Sequence, residues 1–297
     1  MASVAMFMVG TLAGVSDLIN EFPVYGGQAV RYAVGALVLL AMARLLGQRF
    51  VRLGLRETVL LVLLTLTGLV LFNVAVIEST RHAGPALAGT VLGTVPLALA
   101  LVGGRRPAPH VLVGASVVVA GATIATGLGT GNLPGLLWSL VALACEVSFS
   151  LLALPLLPRL GAVRVSAYTT ALAVPLFLTL GLVTDGAAGM LRTPTVAEGL
   201  GFAYLSIAVT VGAFFLWYTA LPRLGPARAG LFAGLIPVGA IVTGAVLGLA
   251  TPTPADLVGA GLVITGIVIG LYGRRPRPAA GGESVEEPEV IHRQPVG

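Results

Sequence analysis

Ten long apolar runs are the feature of this sequence that most restricts its fold. Each is about 20 residues long, the length that an α-helix needs to cross the roughly 30 Å hydrocarbon core of a bilayer. The predicted spans are 2–17, 24–46, 57–78, 84–103, 110–128, 133–154, 164–184, 198–219, 226–249 and 255–273. Seven of the eight residues in 59–66 are apolar, whereas the strands of a membrane β-barrel alternate apolar and polar residues. The sequence therefore predicts an all-α integral membrane protein with ten transmembrane helices.

Composition and missing motifs exclude several function classes. Charged residues make up 10% of the chain, against about 25% in soluble domains, which argues against an ordinary soluble enzyme. The chain contains no ATP-binding Gly-x-x-x-x-Gly-Lys-Ser/Thr loop, no Gly-x-Ser-x-Gly motif and no His-Glu-x-x-His zinc motif. The single cysteine, Cys145, excludes an internal disulfide. We therefore expect a protein that is not an enzyme and has no cofactor and no metal site.

The distribution of arginine predicts the orientation in the membrane. All 17 basic side chains are arginines, and positively charged loops stay on the cytoplasmic side. With the N-terminus inside, most arginines fall in inner loops, and the outer loops hold only Arg81 and Arg192. Both termini are then cytoplasmic, and residues 274–297 form a polar tail that we expect to be disordered. The arginines are too dispersed for a nucleic-acid surface. The composition is typical of a GC-rich bacterial genome, so we expect the protein to lie in a bacterial plasma membrane.

An internal repeat relates the two halves of the chain. The tripeptide Gly-Pro-Ala at 84–86 recurs at 225–227, an offset of 141 residues. Further matches are Gly93 with Gly234, Pro96 with Pro237 and, after a four-residue insertion, Val-Gly-Ala at 113–115 with 258–260 and Gly121 with Gly266. Five spans per half is an odd number, so the second half must enter the membrane inverted. Inverted repeats are typical of secondary transporters, and we expect repeats at 1–128 and 129–273.

These features resemble a known family. The two five-helix repeats, the Gly-Pro-Ala helix starts and the prolines within spans 4 and 9 are similar to those of the EamA family, in the drug/metabolite transporter superfamily. Gly10-Thr11, Pro23 and Arg31 near the N-terminus fit the same family. The resemblance implies a secondary transporter that exports small organic metabolites, such as amino acids, or toxic compounds. It would act by alternating access, as a monomer or homodimer, with protons as a candidate coupling ion.

Two ionisable residues lie deep in predicted spans, where such groups are rare and are functional candidates by default. Arg31 is roughly 10 Å below the outer end of span 2 at 1.5 Å per residue. Its guanidinium is suited to a carboxylate or phosphate of the solute, or it pairs with Asp17, Glu21 or a free carbonyl and holds helices together. Glu146 is near the centre of span 6, where an ionised carboxylate is costly. We interpret it as a group that couples transport to a proton or binds solute, or as a permanently protonated hydrogen-bond donor.

Other polar residues are weaker candidates. Asn73 is deep enough to line a cavity, or it hydrogen-bonds to a neighbouring helix. Glu78, with Arg81 and His82, is expected at the solvated outer mouth of span 3.

Four further residues are predicted to shape the helices. Pro96 and Pro237 remove a backbone donor within spans 4 and 9, which favours a kink or a hinge. Gly93 and Gly234 let helix backbones approach closely.

Aromatic residues near the span ends are interpreted as an interfacial belt. Trp217 and Tyr218 lie near the inner end of span 8, where amphipathic rings are enriched at the headgroup level. The alternative is that they line a pocket for an apolar or cationic solute.

Three function classes follow, with a transporter of small-molecule solutes in the lipid bilayer preferred. A membrane receptor or assembly protein would be favoured by a large extramembrane domain, and the loops are short. A membrane-embedded enzyme acting on lipid would need a cluster of His, Asp or Arg at one face, and the three histidines are widely separated.

Overall fold

The described part of the chain is helical throughout. The computed structural model describes residues 1–19, 21–49, 51–103, 107–127, 132–249 and 251–272, and every regular element in these ranges is a helix. Within them, 8 helices are long and apolar enough to cross a membrane, and Ala2–Leu12 and Ala86–Val102 are shorter apolar helices. The prediction of an all-helical, multi-pass integral membrane protein is confirmed. The count of ten spans and the two-repeat arrangement stay predictions, and the predicted tail lies outside the described residues.

The described residues form 14 α-helices, two 3₁₀-helices and two π-helices. The α-helices are α1 Ala2–Ser16, α2 Val24–Leu45, α3 Leu55–Thr65, α4 Phe72–Leu92, α5 Val95–Val102, α6 Pro109–Thr126, α7 Leu133–Ala153, α8 Leu157–Thr184, α9 Gly186–Gly189, α10 Val196–Tyr204, α11 Phe214–Leu224, α12 Pro226–Leu231, α13 Leu235–Val246 and α14 Pro254–Tyr272. The 3₁₀-helices are Asp17–Ile19 and Phe232–Gly234, and the π-helices are Leu66–Leu71 and Leu205–Ala213.

Glycine joins consecutive helices without a loop at both Gly-Pro-Ala sites. Gly84, inside α4, has φ 74° and ψ 168°, and Gly225, between α11 and α12, has φ 75° and ψ 157°. A side chain is strained at such a positive φ, so glycine is the residue that allows this turn. Gly161, inside α8, makes the same turn with φ 73° and ψ 167°.

Both predicted prolines lie just beyond a break in the α-helix. In the first half, the turn at Gly93 separates α4 from α5, and Pro96 follows in the first turn of α5. In the second half, the 3₁₀-helix 232–234 separates α12 from α13, and Pro237 lies in the first turn of α13. Proline lacks an N–H and clashes with the carbonyl four residues earlier, which accounts for a break upstream of each proline.

Two of the helices that are longer than predicted contain a π-helical segment. The predicted spans 57–78 and 198–219 are parts of the continuous helices 55–84 and 196–224. The π-helix at 66–71 falls within the π-helix at 205–213 when shifted by the repeat offset of 141. These π-helical segments were not predicted from the sequence. π-Helices are rare and are frequently found at functional sites.

Each π-helix contains a glycine that is packed by the first helix of the other half. A Cβ on Gly68 would lie 2.7 Å from a ring carbon of Phe149, and one on Gly212 would lie 3.1 Å from Cε of Met8. Met8 and Phe149 are themselves separated by the offset of 141. The contact between halves therefore recurs with the halves exchanged.

Helices α6 and α14 cross with their backbones in contact. A Cβ on Gly114 would lie 2.6 Å from the Gly266 carbonyl oxygen, and one on Gly121 would lie 2.7 Å from the Gly259 carbonyl oxygen. In the repeat, Gly259 corresponds to Gly114 and Gly266 to Gly121. Each glycine thus contacts the counterpart of the other, as residues do across a two-fold axis.

The largest cluster of buried apolar side chains draws on both halves. Tyr32 of α2 stacks on Phe177 of α8, with ring centroids 5.4 Å apart. The candidate site residues lie on the helices that surround this cluster.

We predict that Gly259→Ala destabilises the protein while Gly261→Ala, two residues along the same helix, does not. A methyl group at position 259 would lie 2.6 Å from a backbone oxygen, whereas nothing lies within 4 Å of one at position 261. Overpacking costs about 1–3 kcal/mol, and alanine gains up to about 1 kcal/mol in helix propensity at either position. The free energy of unfolding, measured by SDS titration in mixed micelles, should fall only for Gly259→Ala. Equal effects of the two substitutions would contradict the close crossing of α6 and α14.

Candidate functional site

Arg31 lies on the face of α2 that packs against the long helix 196–224. A Cβ on Gly27 would lie 3.1 Å from the Phe202 ring, and one on Gly35 would lie 2.9 Å from Cγ2 of Thr210. Gly27, Arg31 and Gly35 are four residues apart, so they share one helix face. Arg31 is 5% exposed. The two glycines bring the helices together, and the arginine is enclosed between them.

The Arg31 guanidinium is held by neutral groups. Its Nε donates a hydrogen bond to Thr210 Oγ1 at 2.8 Å, and Nη1 lies 3.5 Å from Gln28 Oε1. The Thr210 hydroxyl in turn donates to the carbonyl of Leu205 at 3.0 Å, five residues earlier, within the π-helix. A guanidinium has five N–H donors, and these contacts use only part of them.

No described carboxylate neutralises Arg31. The proposed partner Glu21 is exposed, and no ion pair joins it to Arg31. The side chain of Asp17, the other proposed partner, lies outside the described residues. Because a buried charge is costly without a partner, the remaining donors of Arg31 are suited to an anionic group of a bound solute.

Glu146 lies one turn from an aromatic cluster. It is partly buried on α7, and Phe149 and Ser150 follow it by three and four residues, on the same helix face. The Phe149 ring centroid is 5.2 Å from that of Phe214 and 5.1 Å from that of Tyr218. Glu146 takes part in none of the ion pairs found among the described residues.

Trp217 and Tyr218 are not interfacial, so the prediction of a belt at this position was wrong. They are 2% and 1% exposed. The predicted span ended too early, since the helix continues to Leu224 and buries both rings in the core. Position along a span gives the depth of a residue, not the direction in which its side chain points.

Several buried polar atoms near these helices have no hydrogen-bond partner in the described structure. They are Trp217 Nε1, the Tyr218 hydroxyl and the hydroxyls of Ser150, Ser166 and Ser206. Buried polar atoms are nearly always satisfied in folded proteins, by protein groups or by water. These groups without a partner therefore indicate where water or solute completes the interior. Their residue types alone did not predict them.

The remaining candidates lie apart from Arg31 and Glu146. Asn73 donates to the carbonyl of Leu69 at 2.6 Å, so its hydrogen bond stays within its own helix. Glu78 pairs with Arg81 at 2.7 Å, and these side chains are 25% and 62% exposed. Neither contact reaches Arg31 or Glu146. Among the residues that the structure describes, no group of three or more His, Cys, Asp or Glu side chains is placed to hold a metal ion.

Comparisons with known proteins point to one family. Residues 133–272 match the EamA-like transporter family. The chain is 24% identical over 255 residues to the uncharacterized transporter YetK of Bacillus subtilis (strain 168), over 82% of this chain and 77% of that protein. It also has the fold of a protein of known crystal structure, with a TM-score of 0.76 and 22% identity over 91% of this chain and 95% of that one.

We predict that Thr210→Val lowers the free energy of unfolding by about 1.5–3 kcal/mol, the range for a hydrogen bond to a charged group. The substitution preserves side-chain shape and removes the acceptor of the Arg31 Nε. Thr169→Val is the matched control, since the buried Thr169 hydroxyl bonds only to carbonyls of its own helix, Val165 and Ser166. The SDS titration used for the glycine variants measures both. Equal destabilisation would mean that the Arg31 bond contributes nothing.

Proposed function

We propose that the protein is a secondary transporter, because residues 133–272 match the EamA-like transporter family. It exports small organic metabolites, such as amino acids or related compounds, or toxic compounds, by alternating access. It works in the bacterial plasma membrane as a monomer or homodimer, with both termini in the cytoplasm.

The observation that carries this proposal is the two-fold relation between the halves. The reciprocal crossing of α6 and α14, the paired breaks before Pro96 and Pro237 and the paired π-helices recur at the offsets found in the sequence. Five spans in each of 1–128 and 129–273 make the second repeat inverted. Such a pair of repeats alternates access by rocking around a site between them.

Arg31 is the proposed anchor for the solute. It lies between a helix of the first repeat and a helix of the second, so a bound anion contacts both. A carboxylate accepts two parallel hydrogen bonds from a guanidinium, which favours amino acids and other organic acids. Movement of one repeat against the other changes the Thr210 contact of Arg31 and with it the affinity for the solute.

Glu146 is the proposed coupling residue. An ionised carboxylate is costly within a membrane, so protonation of Glu146 favours the closed, dehydrated site and its deprotonation favours the site open to water. The breaks at Gly93 and Gly234 act as hinges. Pro96 and Pro237 lack the N–H that a continuous helix would need across each break. Asp17, Asn73 and Glu78 remain candidates for the outer part of the solute route.

We predict that cells producing the intact protein accumulate a carboxylate-bearing metabolite in the medium and that Arg31→Ala reduces this export about tenfold or more, the effect of losing a charged hydrogen bond. Mass spectrometry of the medium measures the export at equal amounts of protein in the membrane. Arg44→Ala, at an exposed arginine of the same helix, is the matched control and keeps full export. No difference in the medium would overturn export, and full export by Arg31→Ala would overturn the role of Arg31.

We predict that Glu146→Gln abolishes the pH dependence of transport in membrane vesicles, because glutamine cannot exchange a proton. Uptake of the identified metabolite into inside-out vesicles is measured over a range of pH values. Glu21→Gln, at an exposed carboxylate, should retain the wild-type pH profile. Full, still pH-dependent transport by Glu146→Gln would show that Glu146 does not couple transport to protons.

A further inference from the structure

At the start of α3, Glu57 binds both its own helix end and an arginine from the second half. Its Oε2 accepts a hydrogen bond from the Gly54 N–H at 2.8 Å and another from Arg159 Nη1. Arg159 Nη2 donates to the carbonyl of Arg52 at 3.1 Å. This pair ties α8 to the connection that leads into α3.

At the start of α10, Glu198 makes the same two kinds of contact. Its Oε2 accepts a hydrogen bond from the Thr195 N–H at 2.7 Å, and both carboxylate oxygens accept from the Arg192 guanidinium, one of them at 2.9 Å. The Arg192 guanidinium also lies over the Phe22 ring, 5.1 Å from its centroid. Since Phe22 precedes α2, the stacking of Arg192 on Phe22 joins the second half to the first.

The two carboxylates are counterparts in the repeat. Glu198 follows Glu57 by 141 residues, and the capping residue Thr195 follows Gly54 by the same number. This is the offset of the Gly-Pro-Ala sites. These two positions are not among those that define the repeat, so their match supports the repeat independently.

The two pairs lie at opposite ends of the helix bundle. Gly27 packs on Phe202 and Gly35 on Thr210, so α2 runs parallel to the helix 196–224. Helix α3 follows α2 after a short connection and runs back along the bundle. The start of α10 is therefore level with the start of α2, whereas the start of α3 is level with its end.

We propose that these pairs are the two gates of the transport cycle, with Glu57–Arg159 closing the inner face and Glu198–Arg192 closing the outer face. The proposal rests on the proposed function, because alternating access requires each face to open in turn. The contact between the halves is the Glu57–Arg159 pair at the inner face and, at the outer face, the stacking of Arg192 on Phe22, for which the Glu198 pair holds Arg192 in place. Each contact must break when its face opens. Both pairs are formed here, and Arg31 between them is 5% exposed, as expected when both faces are closed.

The inner gate is the weaker of the two. The Arg159 and Glu57 side chains are 53% and 18% exposed, whereas those of Arg192 and Glu198 are 39% and 5% exposed. Solvent-exposed ion pairs contribute little, while bidentate pairs with an arginine stacked on a ring are strong. The inner face therefore opens more readily than the outer face, and opening there exposes the site to the cytoplasm, the side on which an exporter loads.

Distances between spin labels across each face test the gates. On a Cys145→Ser background, one label pair at positions 56 and 158 reports the inner face, and another at positions 21 and 193 reports the outer face; all four residues are exposed. In lipid nanodiscs, Glu57→Gln should raise the population of long inner distances several-fold and leave the outer distances unchanged. Glu198→Gln should do the reverse. Glutamine can still cap the helix, so only the ion pair is lost.

Asp256, a capping carboxylate that pairs with none of the described arginines, serves as control. Asp256 accepts hydrogen bonds from the N–H and hydroxyl of Thr253 at the start of α14, and Asp256→Asn should leave both distances unchanged. The double variant E57R/R159E, which restores attraction with the charges exchanged, should return the inner distances to the closed values.

The outcomes separate the gates from the transporter itself. Unchanged distances in both glutamine variants, or both faces opening together, would overturn the gates. Export by the intact protein without reciprocal opening would count against the gates alone. Reciprocal opening without any export would leave the gates in place and count against the proposed export.

Discussion

The absence of water from the bilayer core is the constraint on which this structure depends. Every backbone N–H and C=O in lipid must find a partner within the protein. Apart from a closed β-barrel, only an α-helix meets this requirement. Lipid tails, however, give helices no hydrophobic reason to associate, so close packing must supply the attraction. Gly114 and Gly266 meet backbone to backbone for this reason. Glycine also permits the abrupt turn at Gly84, where two helices join without exposing a loop.

Hydropathy predicted the helices well because it reports the same constraint. It failed on the lengths of 55–84 and 196–224, since an apolar run marks the part of a helix in lipid and not its ends. Arg81, whose side chain is 62% exposed, lies in the part of the first helix beyond its predicted span. The π-helices could not be predicted, because a shift from four-residue to five-residue hydrogen bonding has no residue signature of its own. They became recognisable as a matched pair only once the hydrogen bonds were known.

The site was predictable in its buried charges and not in their surroundings. Arg31 was identifiable because an arginine within an apolar run is conspicuous, but Thr210 is 179 residues away and meets it only through the packing of the two halves. Trp217 was misplaced because depth along a span does not fix the face of the helix. The helix cap at Gly54 was not predicted, because glycine has no capping side chain and offers only its backbone N–H to Glu57.

Local helix-start chemistry also explains how the proposed inverted repeat would place one of the proposed gates at each face. A carboxylate three residues after the cap stabilises a helix start wherever the helix begins, and inversion places the two copies on opposite sides of the membrane. The arginines do not follow the repeat. The counterpart of Arg159 at the offset of 141 is Leu18, which lies against the α10 helix beside Gly201. The outer carboxylate is instead paired with Arg192 from its own half. The carboxylates thus carry the symmetry that alternation needs, and the arginines carry the asymmetry that favours one face over the other.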